Sequence, residues 1–426
     1  MAELLTAPYD GLPDLVTTPE QFEEMLQQLA SGTGPYAVDA ERASGYRYSA
    51  RAYLIQIKRT NGGLHLIDPI PFGADSSYFA RLNELWRNEE IILHASTQDL
   101  PCLREVGLNP THLFDTELAG RLIGLPRVGL GALVESLLDI GLAKEHSAQD
   151  WSVRPLPEDW LNYAALDVEL LVELRDEIEK LLTEKKKLQW ARQEFAAILI
   201  APPAPKRIDP WRRTSGMHKI RKRSQLAVVK SLWEARDDLA AHLDISPGRV
   251  LSDLAISTIA LASGTAPLAT KRDLEKVLRP IGLRARWFEN TPRWLKAIES
   301  AQALSEEQCP DNRSKSDALP PIKIWRERFP EKFIPLSHAR FQMSLMAEEL
   351  ELPVENLLTP ELLRQICWQL PEPGEVARLL TQMGARQWQV DIAAPILIDA
   401  LAQSEALEVA EPEEAPAGDP ASVISP

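Results

Sequence analysis

Two β-rich runs, Ala52–Lys58 and Leu64–Asp68, flank the tripeptide Asn61-Gly62-Gly63. Asn-Gly and Gly-Gly between apolar runs signal a hairpin, because a tight turn needs residues that accept positive φ. The two runs are therefore expected to pair antiparallel. A further run, Tyr36-Ala37-Val38-Asp39-Ala40-Glu41, precedes them and ends on two carboxylates. Beyond the hairpin, Ile91–Ala95 and Leu113–Thr116 read as buried strands with helical stretches between them. Strands separated by helices imply parallel crossovers. A hairpin meander that passes into alternating helices and strands predicts an α/β domain with a mixed five-stranded sheet covered by helices.

The helices around that sheet have recognisable starts. Thr17-Thr18-Pro19-Glu20 supplies a cap, a first-turn proline and an early acid for a helix over Thr18–Leu29. Ser77–Trp86, Leu130–Leu138 and Glu158–Leu182 follow, the last opening on Pro157-Glu158-Asp159. The α/β pattern stops near residue 200. Residues 201–217 are rich in proline and base and read as a linker; 218–300 are helical, 301–321 form a second linker, and 322–403 are helical again. Leu239, Leu243, Ile245, Val250, Leu251, Ala255 and Ile256 match Met346, Leu350, Leu352, Leu357, Leu358, Leu362 and Leu363 at one constant offset, which predicts duplicated helix–turn–helix units. Residues 404–426 carry six acids and no base and are expected to be disordered.

The formal net charge of −15 over 426 residues hides an uneven distribution. Between 203 and 230 stand Lys206, Arg207, Arg212, Arg213, Lys219, Arg221, Lys222, Arg223 and Lys230, with Asp209 as the lone acid. An acidic total therefore does not exclude a nucleic-acid partner. Cys102, Cys309 and Cys367 are odd in number and far apart, so neither a disulfide framework nor a zinc site is indicated, and a cytoplasmic location is expected. No signal peptide or membrane span is legible, so no membrane partner is expected; no obligate protein partner is visible either.

Alternate residues of a strand share a face, so Asp39 and Glu41 project side by side. Like charges so placed raise each other's pKa unless a cation intervenes. Hard divalent cations prefer carboxylate oxygens. Two other stretches offer partners. Asp99 follows the Ile91–Ala95 strand, and Tyr163 and Asp167 share a helix face with leucines, where an unpaired carboxylate is costly. Taken singly, each has a plain structural reading: solvated acids, a Ser96-x-x-Asp99 cap, an acid paired with a distant arginine. Together, four carboxylates suit the two-cation clamp used in phosphodiester displacement, with the tyrosine orienting the attacking water.

This ordered set resembles the DEDD 3′–5′ exonucleases in the branch whose third motif carries a tyrosine, most closely the ribonuclease D family. The connecting text Leu113-Phe114-Asp115-Thr116-Glu117-Leu118-Ala119 and Asp150-Trp151-Ser152-Val153-Arg154-Pro155-Leu156 carries the resemblance more specifically than the acids do. It implies a ribonuclease H-like exonuclease domain over 1–200 and two all-α modules similar to HRDC domains over 218–300 and 322–403. It further implies Asp39, Glu41, Asp99 and Asp167 as ligands of two divalent cations, Mg²⁺ or Mn²⁺, with Tyr163 beside them. The reaction implied is hydrolysis of RNA from a single-stranded 3′ end to nucleoside 5′-monophosphates, in the trimming of tRNA or other structured precursors. Departures lie in the first motif, Asp-Ala-Glu-Arg, and in His94 at the start of the second. Arg42, Lys144 and Arg154 are candidate phosphate contacts and Trp151 a candidate base-stacking platform, its alternative being core packing. An exonuclease acting on DNA is the alternative within the class. A non-catalytic RNA-binding scaffold and a protein-interaction role for the C-terminal half are the alternatives outside it.

Overall fold

The structure, a computed structural model, describes residues 3–73, 77–143, 149–203, 205, 207–282, 284–312 and 319–408, with side chains to 403. The chain opens with β1 (Glu3–Leu5), β2 (Leu15–Val16), α1 (Pro19–Ser31), β3 (Thr33–Arg42), β4 (Ala52–Thr60) and β5 (Gly63–Ile67). Then come α2 (Ser77–Trp86), β6 (Glu90–Leu93), α3 (Leu100–Glu105), β7 (His112–Asp115), α4 (Thr116–Leu122), α5 (Leu130–Leu138) and β8 (Ile140–Leu142). Three helices follow: α6 (Glu158–Glu169), α7 (Leu171–Glu184) and α8 (Leu188–Ile200).

The local chemistry explains the joints. Asn61 and Gly63 take φ of 58° and 81°, which lets β4 fold back on β5. Thr18 caps α1 by accepting from the Gln21 backbone N–H, and the Gln21 side chain closes a capping box. The sheet runs in the order β2-β5-β4-β3-β6-β7. β3 pairs antiparallel with β4 and parallel with β6, and β6 pairs parallel with β7. The five expected strands are β3 to β7. The sixth, β2, has two residues and carries no readable alternation. A separate parallel pair joins β1 to β8. A register shift between Glu41 and Arg42 marks a bulge at the end of β3.

The helix expected over Glu158–Leu182 is two helices. Leu170 leaves helical geometry at φ −114° and ψ 11°. Lys58 accounts for the break: its Nζ donates to the Glu169 carbonyl oxygen and to the Glu169 carboxylate, each at 2.8 Å, taking that carbonyl out of the helical ladder.

The helical half contains α9 (Arg223–Leu243), α10 (Pro247–Val250), α11 (Asp253–Ala262), α12 (Lys271–Leu278) and α13 (Thr291–Gln302). It continues with α14 (Ile322–Arg328), α15 (Pro330–Glu349), α16 (Val354–Leu357), α17 (Pro360–Gln369), α18 (Val376–Gln382) and α19 (Gln387–Glu408). The duplication is visible in the elements. α9-α10-α11 and α15-α16-α17 recur at the offset of the sequence repeat, and each copy turns its corner on a left-handed residue, Asp244 at φ 47° and Glu351 at φ 49°. Ser252 and Thr359 cap the third helix of each copy in the same way.

Two compact units emerge. One comprises 1–118, 127–180 and 195–316. It contains the sheet and a helical core built on Trp211, Val229, Leu232, Trp287 and Trp294. Trp211 and Ile220 thus draw part of the basic stretch into that core. The other unit comprises 119–126, 181–194 and 317–426. There Glu194 is buried, accepting from Arg386 and from the Trp388 indole, and Trp388 stacks on Trp190 at 4.7 Å. Residues beyond Glu408 in the acidic tail lie outside the described residues. No helix among the described residues is long and apolar enough to cross a membrane.

Candidate active site

Asp39 and Glu41 stand near the C-terminal end of β3, beside the C-terminal end of its parallel neighbour β6. Strand C-termini are where open α/β sheets place their ligands. Helix α6 packs over β3, β4 and β5 and brings Asp167 to the same place. One carboxylate oxygen each from Asp39, Glu41 and Asp167 lies within 4.8 Å of the others. Asp99 falls outside this group of three but within its electrostatic reach, since it helps raise Glu41. It sits at the start of α3 with no side-chain capping bond, so its carboxylate is not committed to the helix end. Tyr163, one turn before Asp167, shares a hydrogen bond with the Asp167 carboxylate.

Electrostatics bind the four acids into one unit. Burial raises the Asp39 carboxyl to about 6, against the pull of Arg42. Burial, then repulsion from Asp39, Asp167 and Asp99, raises Glu41 to about 10. Burial and Asp39 raise Asp99 to about 9, and the same two causes raise Asp167 well above its ordinary value. Burial, reinforced by Asp167 and Glu41, also raises the Tyr163 phenol, which keeps its proton. Three carboxyls with oxygens at shared reach, Asp39, Glu41 and Asp167, with Asp99 close enough to repel them, form a donor set that fits hard divalent cations.

Neighbouring side chains hold these groups in place. Asp115 at the end of β7 accepts from the Ala95 and Ser96 backbone N–H groups at 3.3 and 2.8 Å and from the Ser96 hydroxyl at 2.6 Å. That fixes the turn in which Ala95 adopts φ 59°, and so sets where Asp99 emerges. Ser96 is therefore engaged by Asp115 rather than in a cap with Asp99.

Two expected substrate contacts are corrected. Trp151 is 0% exposed and packs edge-on against Trp160 in a core with Leu54, Leu66 and Ala164, so it offers no face to a base. Arg154 donates from Nε and Nη2 to the two Asp68 carboxylate oxygens at 2.6 and 2.8 Å, and to the Trp151 and Tyr53 carbonyls. It staples the segment before α6 to the sheet, and no phosphate is needed to explain it. Lys144 lies outside the described residues. Arg42 is half-buried beside a cavity of about 360 Å³ lined by Glu41, Ser44, Gly45, Tyr46 and Gln149.

The lining reveals residues that the sequence reading passed over. Tyr46 is an aromatic at the mouth of the site, with the Arg249 guanidinium 4.0 Å from its ring centre. Arg249 also donates to the Gly45 carbonyl, and the Ser246 N–H to the Tyr46 carbonyl. Asp244 accepts from the Tyr48 and Ser49 N–H groups at 3.1 and 2.8 Å. The first helical module thus clasps the loop joining β3 to β4. Nothing in residue order marks these pairs. Gln56 could have been noticed, as the one amide inside the apolar run Leu54-Ile55-Gln56-Ile57.

Comparison with known proteins agrees with this geometry. Residues 13–183 match a family described as 3′–5′ exonuclease, 225–265 match the HRDC domain, and 318–401 match a family described as 3′ to 5′ exonuclease C-terminal domain. Ribonuclease D of Acidiphilium cryptum is 30% identical over 325 residues, covering 73% of this chain and 78% of that protein. Ribonuclease D of Zymomonas mobilis is 33% identical over 288 residues, covering 66% and 70%. A crystal structure of a protein from Bifidobacterium adolescentis, 38% identical, superposes with a TM-score of 0.84 over 94% of this chain and all of that one. Escherichia coli RNase D, 22% identical, shares the fold with a TM-score of 0.65, over 92% of this chain and 98% of that one. The chain belongs to the ribonuclease D family of 3′–5′ exoribonucleases.

Proposed function

We propose that this exoribonuclease removes nucleoside 5′-monophosphates one at a time from the single-stranded 3′ end of structured RNA, tRNA precursors included, in the cytoplasm. Asp39, Glu41, Asp99 and Asp167 hold two Mg²⁺ or Mn²⁺ ions and Tyr163 positions the water. The observation that carries this reading is the meeting of three carboxylate oxygens within 4.8 Å on β3 and α6. Escherichia coli RNase D, whose fold this chain shares, is described as an exoribonuclease involved in structured RNA processing.

When bound, the cations supply charge to activate water and to stabilise the leaving oxygen. The protein's own groups do the rest. As ligands the carboxyls would be deprotonated, so cation binding would compete with their raised affinity for protons. Tyr163 stays a neutral phenol because burial raises its pKa, so it orients water by hydrogen bonding and does not act as a base. The cavity beside Glu41 and Arg42 receives the terminal nucleotide. Tyr46 offers the aromatic face that Trp151 does not, and Arg42 meets the phosphate.

The test is a time course on a 3′-extended tRNA with separate 5′- and 3′-end labels. Wild-type protein should release labelled monophosphate from the 3′ end. Asp39→Asn should lower hydrolysis by more than about 100-fold, beyond the loss typical of a ligand's outer partners, while RNA binding persists. Wild-type rates in that variant would refute the metal site. Faster loss of a matched DNA strand would replace RNA by DNA as the substrate.

A further inference from the structure

Directly across the sheet from Asp39 stands Gln56 of β4. Paired residues of an antiparallel ladder project to the same face with their Cβ atoms about 4.5–5.5 Å apart. The Gln56 side chain therefore rises beside the Asp39 carboxylate, under the helix that carries Tyr163 and Asp167. It is 0% exposed, and neither its Nε2 nor its Oε1 has a hydrogen-bond partner among the described residues.

Such an amide is costly. Burial strips it of water, and no protein group replaces what is lost. Packing does not explain it. The same face of β4 holds Leu54, and Gln56 faces Leu66 on its other side in β5; both leucines belong to one apolar core with Trp151, Ala164 and Ala165. A leucine or methionine would continue that core at lower cost. Nor is the amide a general ladder device. The next polar residue on this face, Lys58, is fully engaged by Glu169.

The cross-strand neighbour that calls for a donor is Asp39. A carboxylate that directs oxygen to a cation keeps lone pairs pointing away from it, and such ligands are held in orientation by hydrogen bonds from an outer group. An amide N–H donates to a carboxylate in any charge state of its surroundings, and it adds no charge to a site already crowded with acids.

Resting on the metal-site reading above, we infer that Gln56 is a positioning residue: its Nε2, unpartnered in this structure, would donate to the neighbouring Asp39 in the cation-bound site and fix that carboxylate in its cation-binding rotamer. Gln56 touches neither substrate nor reacting atoms and acts only through Asp39.

Mn²⁺ titration calorimetry on the full chain, paired with thermal melts in EDTA, tests the inference. Gln56→Met and Gln56→Leu should bind Mn²⁺ about 10–100-fold more weakly than wild type. Their metal-free melting temperatures should be unchanged or higher, since each removes an unsatisfied amide. Affinity within twofold of wild type in both variants would overturn the inference and leave the amide to an internal water. Weakened affinity accompanied in both variants by a lower metal-free melting temperature would also overturn it, assigning Gln56 to packing. Asp39→Asn serves as the reference. If that variant keeps wild-type Mn²⁺ affinity, the metal-site reading itself fails; if it loses binding while both Gln56 variants retain it, only the inference about Gln56 fails.

Discussion

Arg154 shows how a single guanidinium can be misjudged from its surroundings in the chain. It lies beside Trp151 in a stretch that suggests RNA contact, yet it closes an ion pair with Asp68, whose side chain is 6% exposed. Removing one partner of a buried pair costs about 3–5 kcal/mol because the other charge is left behind. Arg154→Met should therefore lower stability by about 3 kcal/mol in chemical denaturation, with RNA affinity of the folded fraction unchanged. A selective loss of RNA affinity at wild-type stability would return Arg154 to the substrate track. The clustered acids make a second prediction, in pH. In the metal-free chain, burial and mutual repulsion hold Asp39 at about 6, Asp99 at about 9 and Glu41 at about 10. Unfolded carboxyls titrate near about 4. The folded state thus binds protons that the unfolded chain releases, so the stabilisation is complete below about pH 4 and is lost as pH rises through those folded values. Melting temperatures in EDTA should fall from about pH 5 to about pH 9, and the rise produced by Mg²⁺ should grow over the same interval. Melts at matched ionic strength check both slopes, and a metal-free melting temperature that climbs with pH would contradict the buried cluster.

The loop between β3 and β4 lines the cavity beside Glu41 and is held by the first helical module. Asp244 is the left-handed corner residue of the first repeat, and it accepts from Tyr48 N–H, Ser49 N–H and the Tyr53 hydroxyl. Asp237 takes the Tyr48 hydroxyl as well. Glu351 occupies the equivalent corner of the second repeat, where its carbonyl accepts from Lys187. Both copies therefore use the same corner for an outside contact. Bonds to a charged acceptor are worth more than neutral ones, so Asp244→Ala should destabilise the protein by about 1–2 kcal/mol. Hydrogen exchange should speed up across 44–51, and the Michaelis constant for RNA should rise because the loop that carries Tyr46 loses its bonds at Tyr48 and Ser49. Unchanged protection in that loop would show that the clasp does not order it. The duplication was readable from residue order because equal spacing of apolar residues is a local property. The clasp was not, since it joins residues 196 and 195 positions apart.

For the molecule as a whole, the net charge of −15 would suggest that RNA is repelled. The distribution suggests the opposite near the helical modules, where Arg207, Arg213, Lys219, Arg221 and Lys222 are exposed. Arg212 and Arg223 of the same stretch are held by Asp209 and by the Cys309 carbonyl, so the exposed set is smaller than the count of bases implies. Phosphate contacts release counterions, so RNA affinity should fall about tenfold or more between 50 and 200 mM salt if three or more phosphates are met. Filter binding of a single-stranded RNA across that range measures it, and a flat response would exclude these residues from the grip. Residue order alone was enough for the pairing of the hairpin, the cap of α1, the repeat and the grouping of Asp39, Glu41 and Asp167 beside Tyr163, because turn chemistry, capping and periodicity act over a few residues. It did not distinguish a free arginine from one tied to Asp68, 86 residues away, nor a surface tryptophan from a core one. It also passed over Gln56, whose meaning depends on lying opposite Asp39. Those assignments turn on long-range pairing and burial, which the three-dimensional packing of distant segments creates and no local pattern encodes.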